Sequence, residues 1–196
     1  MINWKKEIWT IPNLLSLFRL VLIPVYMLVY LKATTPAGFM TAGVILALSC
    51  LTDMVDGKIA RAFHQITNLG RFLDPLADKL TQFALLICLG IRYRALWVVF
   101  GLFVLKELFQ LFAGIVTARK GWILKNARYS GKVCTAVLFI SLVVLVIFPG
   151  LGEATVKAIA AVDCFFLAVA FGDYMITYLG RNSRFQPLDA NPNDPI

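Results

Sequence analysis

Long apolar segments separated by short polar connections make up most of this chain of 196 residues. Hydrophobic residues account for 60% of the sequence and charged residues for only 15%, a balance that a water-soluble domain of this size does not need. A run of about 20 apolar residues is long enough to cross the hydrocarbon core of a bilayer as a helix. The sequence therefore predicts an all-α, polytopic membrane protein.

Six such segments are present, and we expect each to form one transmembrane helix. Their predicted ranges are 13–31, 37–62, 70–91, 96–118, 130–148 and 154–179. Residues 1–12 combine tryptophans with lysines, which predicts a short helix lying in the membrane interface. Residues 181–196 are rich in Pro, Asn and Asp and are expected to form a disordered cytoplasmic tail. Between these two ends, residues 13–180 are expected to form one six-helix domain.

The positive charges indicate how the helices are oriented. Most Lys and Arg residues lie before the first helix, in the tail, and in or beside two connections: the one between the second and third helices and the one between the fourth and fifth. Cytoplasmic loops carry an excess of Lys and Arg, so we expect these parts to face the cytoplasm. The net charge of +8 fits this rule and an attraction to anionic lipid. The sequence contains no nucleic-acid-binding motif, and no nucleic-acid partner is expected.

Four aspartates interrupt the second and third apolar segments near their predicted cytoplasmic ends: Asp53, Asp56, Asp74 and Asp78. Residues three or four apart share a helix face, so each pair projects from one face of its helix. The short connection between the two segments predicts antiparallel neighbours whose acid pairs face each other. Two carboxylates ~4 Å apart repel by about 4 kcal/mol at an effective dielectric of ~20. A positive partner must therefore lie between them.

A divalent metal is one such partner, and a network of basic side chains is the alternative. Carboxylate oxygens suit Mg²⁺, Mn²⁺ or Ca²⁺, whereas zinc favours His or Cys. Two ions can clamp the attacking and leaving oxygens of a phosphoryl displacement. Gly57 and Gly70 leave room for a ligand to approach the backbone, and Arg61 and Arg71 could neutralise or hold phosphate. The alternative network would pair the acids with Lys58, Arg61, Arg71 and Lys79.

The acids belong to a longer pattern, D-x2-D-G-x2-A-R-x8-G-x3-D-x3-D, which residues 53–78 match at every fixed position. This pattern resembles the signature of the CDP-alcohol phosphatidyltransferase family. The resemblance implies a six-helix enzyme of phospholipid synthesis that transfers a phosphatidyl group from CDP-diacylglycerol to an alcohol and releases CMP. It also implies a homodimer in a bacterial-type inner membrane, with the active site facing the cytoplasm.

The same resemblance implies roles for individual residues. Asp53, Asp56 and Asp74 are implied to bind two Mg²⁺ or Mn²⁺ ions. Asp78 is implied to be the general base that deprotonates the acceptor hydroxyl, and it is also a candidate metal ligand. The candidate nucleotide-binding residues are Asn13, Ser16, Gly57, Ala60, Arg61 and Gly70.

The acceptor alcohol is the least constrained part of this prediction. Residues 11–19 and 72–79 resemble phosphatidylglycerophosphate synthases and related cardiolipin synthases, which favours glycerol 3-phosphate, with phosphatidylglycerol as the alternative. Phosphatidylglycerophosphate synthases often have Arg-Glu in the fourth helix, where this chain has Lys106-Glu107. Lysine can replace arginine as a point charge but not as a planar fork. The candidate acceptor-binding residues are Arg71, Lys106, Lys125, Arg128 and Lys132.

Two functions of other classes are also compatible with acids in a membrane protein. A cation transporter would place its acids near the midplane, often within inverted repeats, whereas these acids cluster at one end of their helices. An inactive scaffold would have no reason to keep the whole signature. Asp163 and Asp173 lie outside the signature, and we assign no role to either.

Overall fold

The computed structural model describes residues 10–62, 68–124, 129–179 and 185–187. Within these ranges the side chains are described except at residues 11–12, 54–62, 68–69, 71–72, 123–124, 179 and 185–187. The elements in chain order are α1 (Ile11–Lys32), α2 (Pro36–Ala62), α3 (Asn68–Arg92), α4 (Leu96–Arg119), β1 (Trp122–Leu124), α5 (Tyr129–Ile147), α6 (Glu153–Leu179) and β2 (Phe185–Pro187).

The six long helices predicted from the sequence are confirmed. Five of them, α1, α2, α4, α5 and α6, are long and apolar enough to cross a membrane by length and composition. The helix α3 is of similar length, with 25 residues. Its first half is less apolar because it carries Asp74, Asp78 and neighbouring basic residues. The acids of the signature thus lie on the most polar of the six helices and at the end of α2.

The start of α1 differs from the prediction. We expected residues 1–12 to form a separate interfacial helix, but Ile11 and Pro12 belong to the first turn of α1. Proline is favoured there because the first turn of a helix needs no backbone N–H donor. Residues 1–9 lie outside the described residues, so an interfacial helix in that segment stays a prediction.

A short antiparallel sheet joins part of the predicted tail to the connection after α4. In this sheet β1 pairs with β2, and Ile123 lies opposite Gln186. The expectation of disorder is therefore wrong for residues 185–187. An extended segment can complete a backbone ladder whatever its side chains are, so composition did not reveal the pairing. Gly121, with a φ of 79°, turns the chain from the end of α4 into β1.

Two compact units can be distinguished in the chain, and one six-helix domain over residues 13–180 stays a prediction. The first unit comprises Met1–Arg92 and Leu142–Leu151, and the second comprises Tyr93–Ser141 and Gly152–Ile196. In the first unit, α1 packs against both α2 and α3. In the second unit, α4 packs against α6 and against β1.

The helix α1 exposes an apolar stripe and buries a stripe that is polar at one end. The exposed residues recur every three or four positions and are Leu14, Phe18, Val21, Val25 and Leu28. The buried stripe consists of Asn13, Ser16, Arg19, Tyr26 and Tyr30. An apolar outer face suits contact with lipid, because lipid tails are as apolar as these side chains and no hydrophobic effect drives the side chains into the protein interior. The polar residues of α1 are consequently directed at its neighbours, α2 and α3.

The buried faces of α2 and α3 lead directly to the acids. In α2, buried residues follow one another at steps of three and four, and Asp53 comes four residues after the last of them: Phe39, Ala42, Leu46 and Ser49. In α3, Leu73 and Ala77 are buried immediately before Asp74 and Asp78. Packing of these apolar positions against α1 therefore fixes the depth at which the carboxylates lie.

In the second unit, two serine–aspartate pairs join α5 to α6 by hydrogen bonds. Ser141 Oγ lies 2.8 Å from Oδ1 and 2.7 Å from Oδ2 of Asp163, whose side chain is buried. Ser130 donates a hydrogen bond to Asp173. A hydroxyl that reaches a carboxyl group on a neighbouring helix stabilises helix packing at membrane depth. These contacts give structural partners to the two acids that the sequence analysis left without a role.

Candidate active site

Three of the four signature aspartates have described side chains, and all three contact the buried face of α1. Arg19 Nη2 lies 2.5 Å from Asp53 Oδ1, and Arg19 Nη1 lies 2.8 Å from Asp78 Oδ1. Ser16 Oγ donates a hydrogen bond of 2.6 Å to Asp74 Oδ1. One face of α1 therefore joins the acid of α2 to the two acids of α3.

The burial of these groups is uneven in a way that suits a binding site. The side chain of Arg19 is only 2% exposed, whereas those of Asp53 and Asp78 are 45% and 53% exposed. The cation thus lies beneath the carboxylates, and about half of each of these two aspartate side chains stays exposed. A ligand can reach the acids without first separating the helices.

Charge is not balanced within this cluster. Asp78 is close enough to Asp53 and Asp74 to be repelled by both, and it is attracted by Arg19. Three carboxylates with one guanidinium leave an excess of negative charge among these four side chains. This excess favours the binding of a cation, as the spacing of the acids had indicated.

The cation that pairs with Asp53 and Asp78 was not among those that we considered from the sequence. Of the four neighbours proposed for a charge network, Lys58, Arg61 and Arg71 have side chains outside the described set. Arg19 was missed because its role depends on α1 packing against α2 and α3. The signal was nevertheless present, since an ionisable residue inside an apolar helix is a functional candidate by default.

The donor atoms fit a hard divalent cation. Carboxylate oxygens are the ligands that Mg²⁺ and Mn²⁺ prefer, and the acids come from two helices held by a third. Among the described side chains, no three His, Cys, Asp or Glu residues lie close enough together to form a complete metal site. Asp56 lies within α2, but its side chain is outside the described set. The chemistry of the donors agrees with the predicted metal site, and the ligation itself stays a prediction.

Of the predicted nucleotide-binding residues, those on α1 and α3 can be placed. Asn13 and Ser16 are 1% and 0% exposed, and Gly70 is also buried. Ser16 holds Asp74, so its first role is to position that acid. Gly57, Ala60 and Arg61 lie within α2, and their side chains are not among those described. Nucleotide contact by these residues stays a prediction.

The predicted acceptor-binding residues are distributed over both units. In the second unit, Lys106 is 3% exposed, and its Nζ lies 2.5 Å from Glu107 Oε1. Its charge is therefore already paired within its own helix, and a bound phosphate would have to compete with Glu107.

Of the other four acceptor candidates, Lys132 alone has a described side chain. Lys132 is exposed and follows Gly131, where an added Cβ would collide with the hydroxyl of Tyr174. Lys125 and Arg128 lie outside the described residues, and the side chain of Arg71 is not described. Acceptor binding by all five residues stays a prediction.

Comparison with known proteins places this site in a family. The family model for CDP-alcohol phosphatidyltransferase matches residues 9–172. Cardiolipin synthase (CMP-forming) of Streptomyces coelicolor is 33% identical over 151 residues, which cover 74% of this chain and 69% of that protein. CDP-diacylglycerol–glycerol-3-phosphate 3-phosphatidyltransferase of Escherichia coli is 31% identical over 152 residues, which cover 73% of this chain and 80% of that protein.

The matched range includes α1 to α5, most of α6 and all four signature acids. The agreement therefore covers both the helices that build the site and the residues that form it. The chain belongs to the CDP-alcohol phosphatidyltransferase family and is a membrane phosphatidyltransferase of phospholipid synthesis.

Proposed function

We propose that this protein transfers the phosphatidyl group of CDP-diacylglycerol to glycerol 3-phosphate and releases CMP. The observation that carries the proposal is the joining of Asp53, Asp74 and Asp78 by one face of α1. Accessible carboxylates over a buried cation suit a reaction in which charged phosphate groups and a proton are handled together. The name of the Escherichia coli relative, which specifies glycerol 3-phosphate, supports this acceptor.

The acids would hold two Mg²⁺ or Mn²⁺ ions, in keeping with the general dependence of this family on divalent metals. Asp53 and Asp74 offer carboxylate oxygens from α2 and α3, Asp56 is the further candidate on α2, and Asp78 offers a fourth carboxylate. When bound, such ions neutralise the pyrophosphate and make CMP a better leaving group. Ser16 fixes the orientation of Asp74 by its hydrogen bond to Oδ1.

Asp78 is proposed to remove the proton from the acceptor. The acceptor oxygen attacks the phosphorus nearer the lipid, the bond from that phosphorus to the CMP oxygen breaks, and CMP leaves with the electron pair. The hydroxyl proton passes to Asp78, whose exposed carboxylate can return it to solvent. Arg19 keeps Oδ1 of Asp78 fixed, so the second oxygen, Oδ2, is the one available to accept the proton.

Phosphatidylglycerol is the alternative acceptor, and two observations favour it. The Streptomyces coelicolor relative, which is named as a CMP-forming cardiolipin synthase, is 33% identical to this chain. In addition, Lys106 stands where glycerol 3-phosphate enzymes often have arginine, and its charge is paired with Glu107. A lipid acceptor would make the same chemical step produce cardiolipin.

The setting of the reaction is proposed from charge and composition. The five apolar helices indicate a membrane protein, and the distribution of Lys and Arg orients the acids towards the cytoplasm. CMP and glycerol 3-phosphate are polar and would exchange with the cytoplasm, whereas the acyl chains would remain in the bilayer. A homodimer is proposed on the family resemblance alone.

Identification of the lipid product tests the choice of acceptor. Purified full-length protein in detergent would receive CDP-diacylglycerol, Mg²⁺ or Mn²⁺, and either glycerol 3-phosphate or phosphatidylglycerol. We expect phosphatidylglycerophosphate, detected by mass spectrometry, together with CMP in the first reaction only. Cardiolipin from the second reaction alone would establish the alternative. If CMP is released in neither of the two reactions, both assignments are contradicted.

A further inference from the structure

Among the charged side chains of the site that the structure describes, Arg19 is the most deeply buried. Its two terminal nitrogens contact acids on different helices, Nη1 to Asp78 at 2.8 Å and Nη2 to Asp53 at 2.5 Å. The planar guanidinium is suited to this arrangement because its donors diverge at fixed angles. A lysine, with one terminal nitrogen at the end of a flexible chain, would not hold both acids in this way.

The position of this cation has a consequence for any other cation that binds the same acids. Asp53 Oδ1 and Asp78 Oδ1, which contact Arg19, are donors of the kind that a divalent ion needs. An ion that takes either oxygen must share that oxygen with Arg19 or displace the ion pair. An ion that binds through the Oδ2 atoms instead still lies beside a buried positive charge. In both cases the guanidinium lowers the affinity of the site for a divalent ion.

We propose that Arg19 is a built-in counter-cation that competes with the divalent metal for Asp53 and Asp78. The inference rests on the proposed use of these acids as metal ligands. Arg19 holds α2 and α3 in register when no metal is bound, because it compensates carboxylates that otherwise repel one another. When a metal binds, at least one of its ion pairs is weakened or exchanged. Arg19 is therefore a positioning residue whose presence sets the metal affinity of the site.

The competition predicts two opposite effects of removing the charge. Arg19→Met lacks the cation but keeps an unbranched, flexible side chain that can fill most of the space of the arginine stem. Without metal, this variant should unfold at a lower temperature than the wild type, because the acids lose their buried partner. This variant should bind Mn²⁺ about tenfold more tightly, which is a small part of the Coulomb repulsion between a unit charge and a divalent ion that share the same carboxylates. If Arg19 had a merely structural role, its replacement would not increase the affinity for Mn²⁺.

Mn²⁺ binding can be measured on full-length protein in detergent by the electron paramagnetic resonance signal of the free ion. The protein is first treated with a chelator that is then removed, and the titration is made at low ionic strength. Arg92→Met is the matched control, since Arg92 lies at the other end of α3 and contacts the ring of Phe39 and the carbonyl oxygen of Pro149. We expect this variant to bind Mn²⁺ with the wild-type affinity.

The possible results separate this inference from the proposed function. Wild-type protein that binds Mn²⁺, with a folded Arg19→Met variant that binds it equally or more weakly, would overturn the competition and leave the metal site intact. Wild-type protein that binds no Mn²⁺ would remove the proposed metal chemistry itself. If Arg19→Met does not fold, Arg19→Lys decides the question, because it keeps one charge but not the fork. The competition predicts a smaller gain in affinity for Arg19→Lys, and no gain would contradict it.

Discussion

Asp78→Asn is expected to lower the rate of CMP release by about 10²–10⁴-fold, the range associated with the loss of a general base. The change is nearly isosteric, and the amide oxygen of asparagine can still accept the hydrogen bond from Arg19 Nη1. The fold should therefore be kept, although Arg19 loses one of its two carboxylate partners, so this variant should be destabilised in the same way as Asp53→Asn. The proton acceptor is lost whether or not Asp78 also binds a metal ion, so kcat should fall much more than the affinity for CDP-diacylglycerol.

The matched control for this prediction is Asp163→Asn. Asp163 is a buried acid in the same apolar chain, but its carboxyl group contacts Ser141 and lies outside the signature. We expect this variant to retain wild-type kcat within about twofold, since the hydroxyl of Ser141 can pair with an amide as well. An Asp78→Asn enzyme with more than a tenth of the wild-type rate would show that another group takes the proton. The Mn²⁺ affinity of Asp78→Asn would show whether Asp78 is also a metal ligand.

Asp53→Asn and Asp74→Asn are expected to lose activity to a similar extent but stability to different extents. Loss of a residue that merely supports a metal ligand costs 10–100-fold, so the loss of a ligand should cost about 100-fold or more. The stability of the metal-free protein depends instead on the partner of each acid. Asp53 pairs with a buried guanidinium, whereas Asp74 accepts a hydrogen bond from a hydroxyl group.

The buried charge of Arg19 should make Asp53→Asn measurably less stable than Asp74→Asn. Asp53→Asn leaves Arg19 with one carboxylate fewer, and a hydrogen bond to a charged group contributes about 1.5–3 kcal/mol. Asp74→Asn keeps an oxygen that Ser16 can reach, so its free energy of unfolding should fall by at most about 1 kcal/mol. Thermal unfolding in the presence of a chelator should therefore place the midpoint of Asp53→Asn below that of Asp74→Asn. Equal midpoints would mean that the Arg19–Asp53 pair contributes little to stability.

Helix positions were well predicted from the sequence because the signal is strong and local. Each apolar segment must satisfy its backbone hydrogen bonds internally at membrane depth, and only a helix does this within one segment. The predicted range 37–62 became α2 (Pro36–Ala62), and 96–118 became α4 (Leu96–Arg119). The acids were found for the same reason, since charged residues inside such segments are conspicuous.

The features that the sequence did not reveal depend on contacts between distant parts of the chain. The pairing of β1 with β2 joins residues on either side of two long helices, and nothing in the composition of residues 185–187 indicates it. The ion pairs of Arg19 require α1 to pack against both α2 and α3. The sequence showed that the acids need a positive partner, but only the arrangement of the helices identified this arginine.

The most direct test of the account is CMP release before and after metal removal. Full-length protein in detergent, treated with a chelator, would be incubated with CDP-diacylglycerol and glycerol 3-phosphate, and then supplied with Mg²⁺ or Mn²⁺ in excess. If the carboxylates hold a catalytic metal, CMP release after chelation should fall to the rate measured without enzyme. The rate should recover when the ion is added. No comparable recovery is expected for Asp78→Asn. Release at the original rate from thoroughly chelated wild-type protein would contradict the proposed role of Asp53, Asp74 and Asp78.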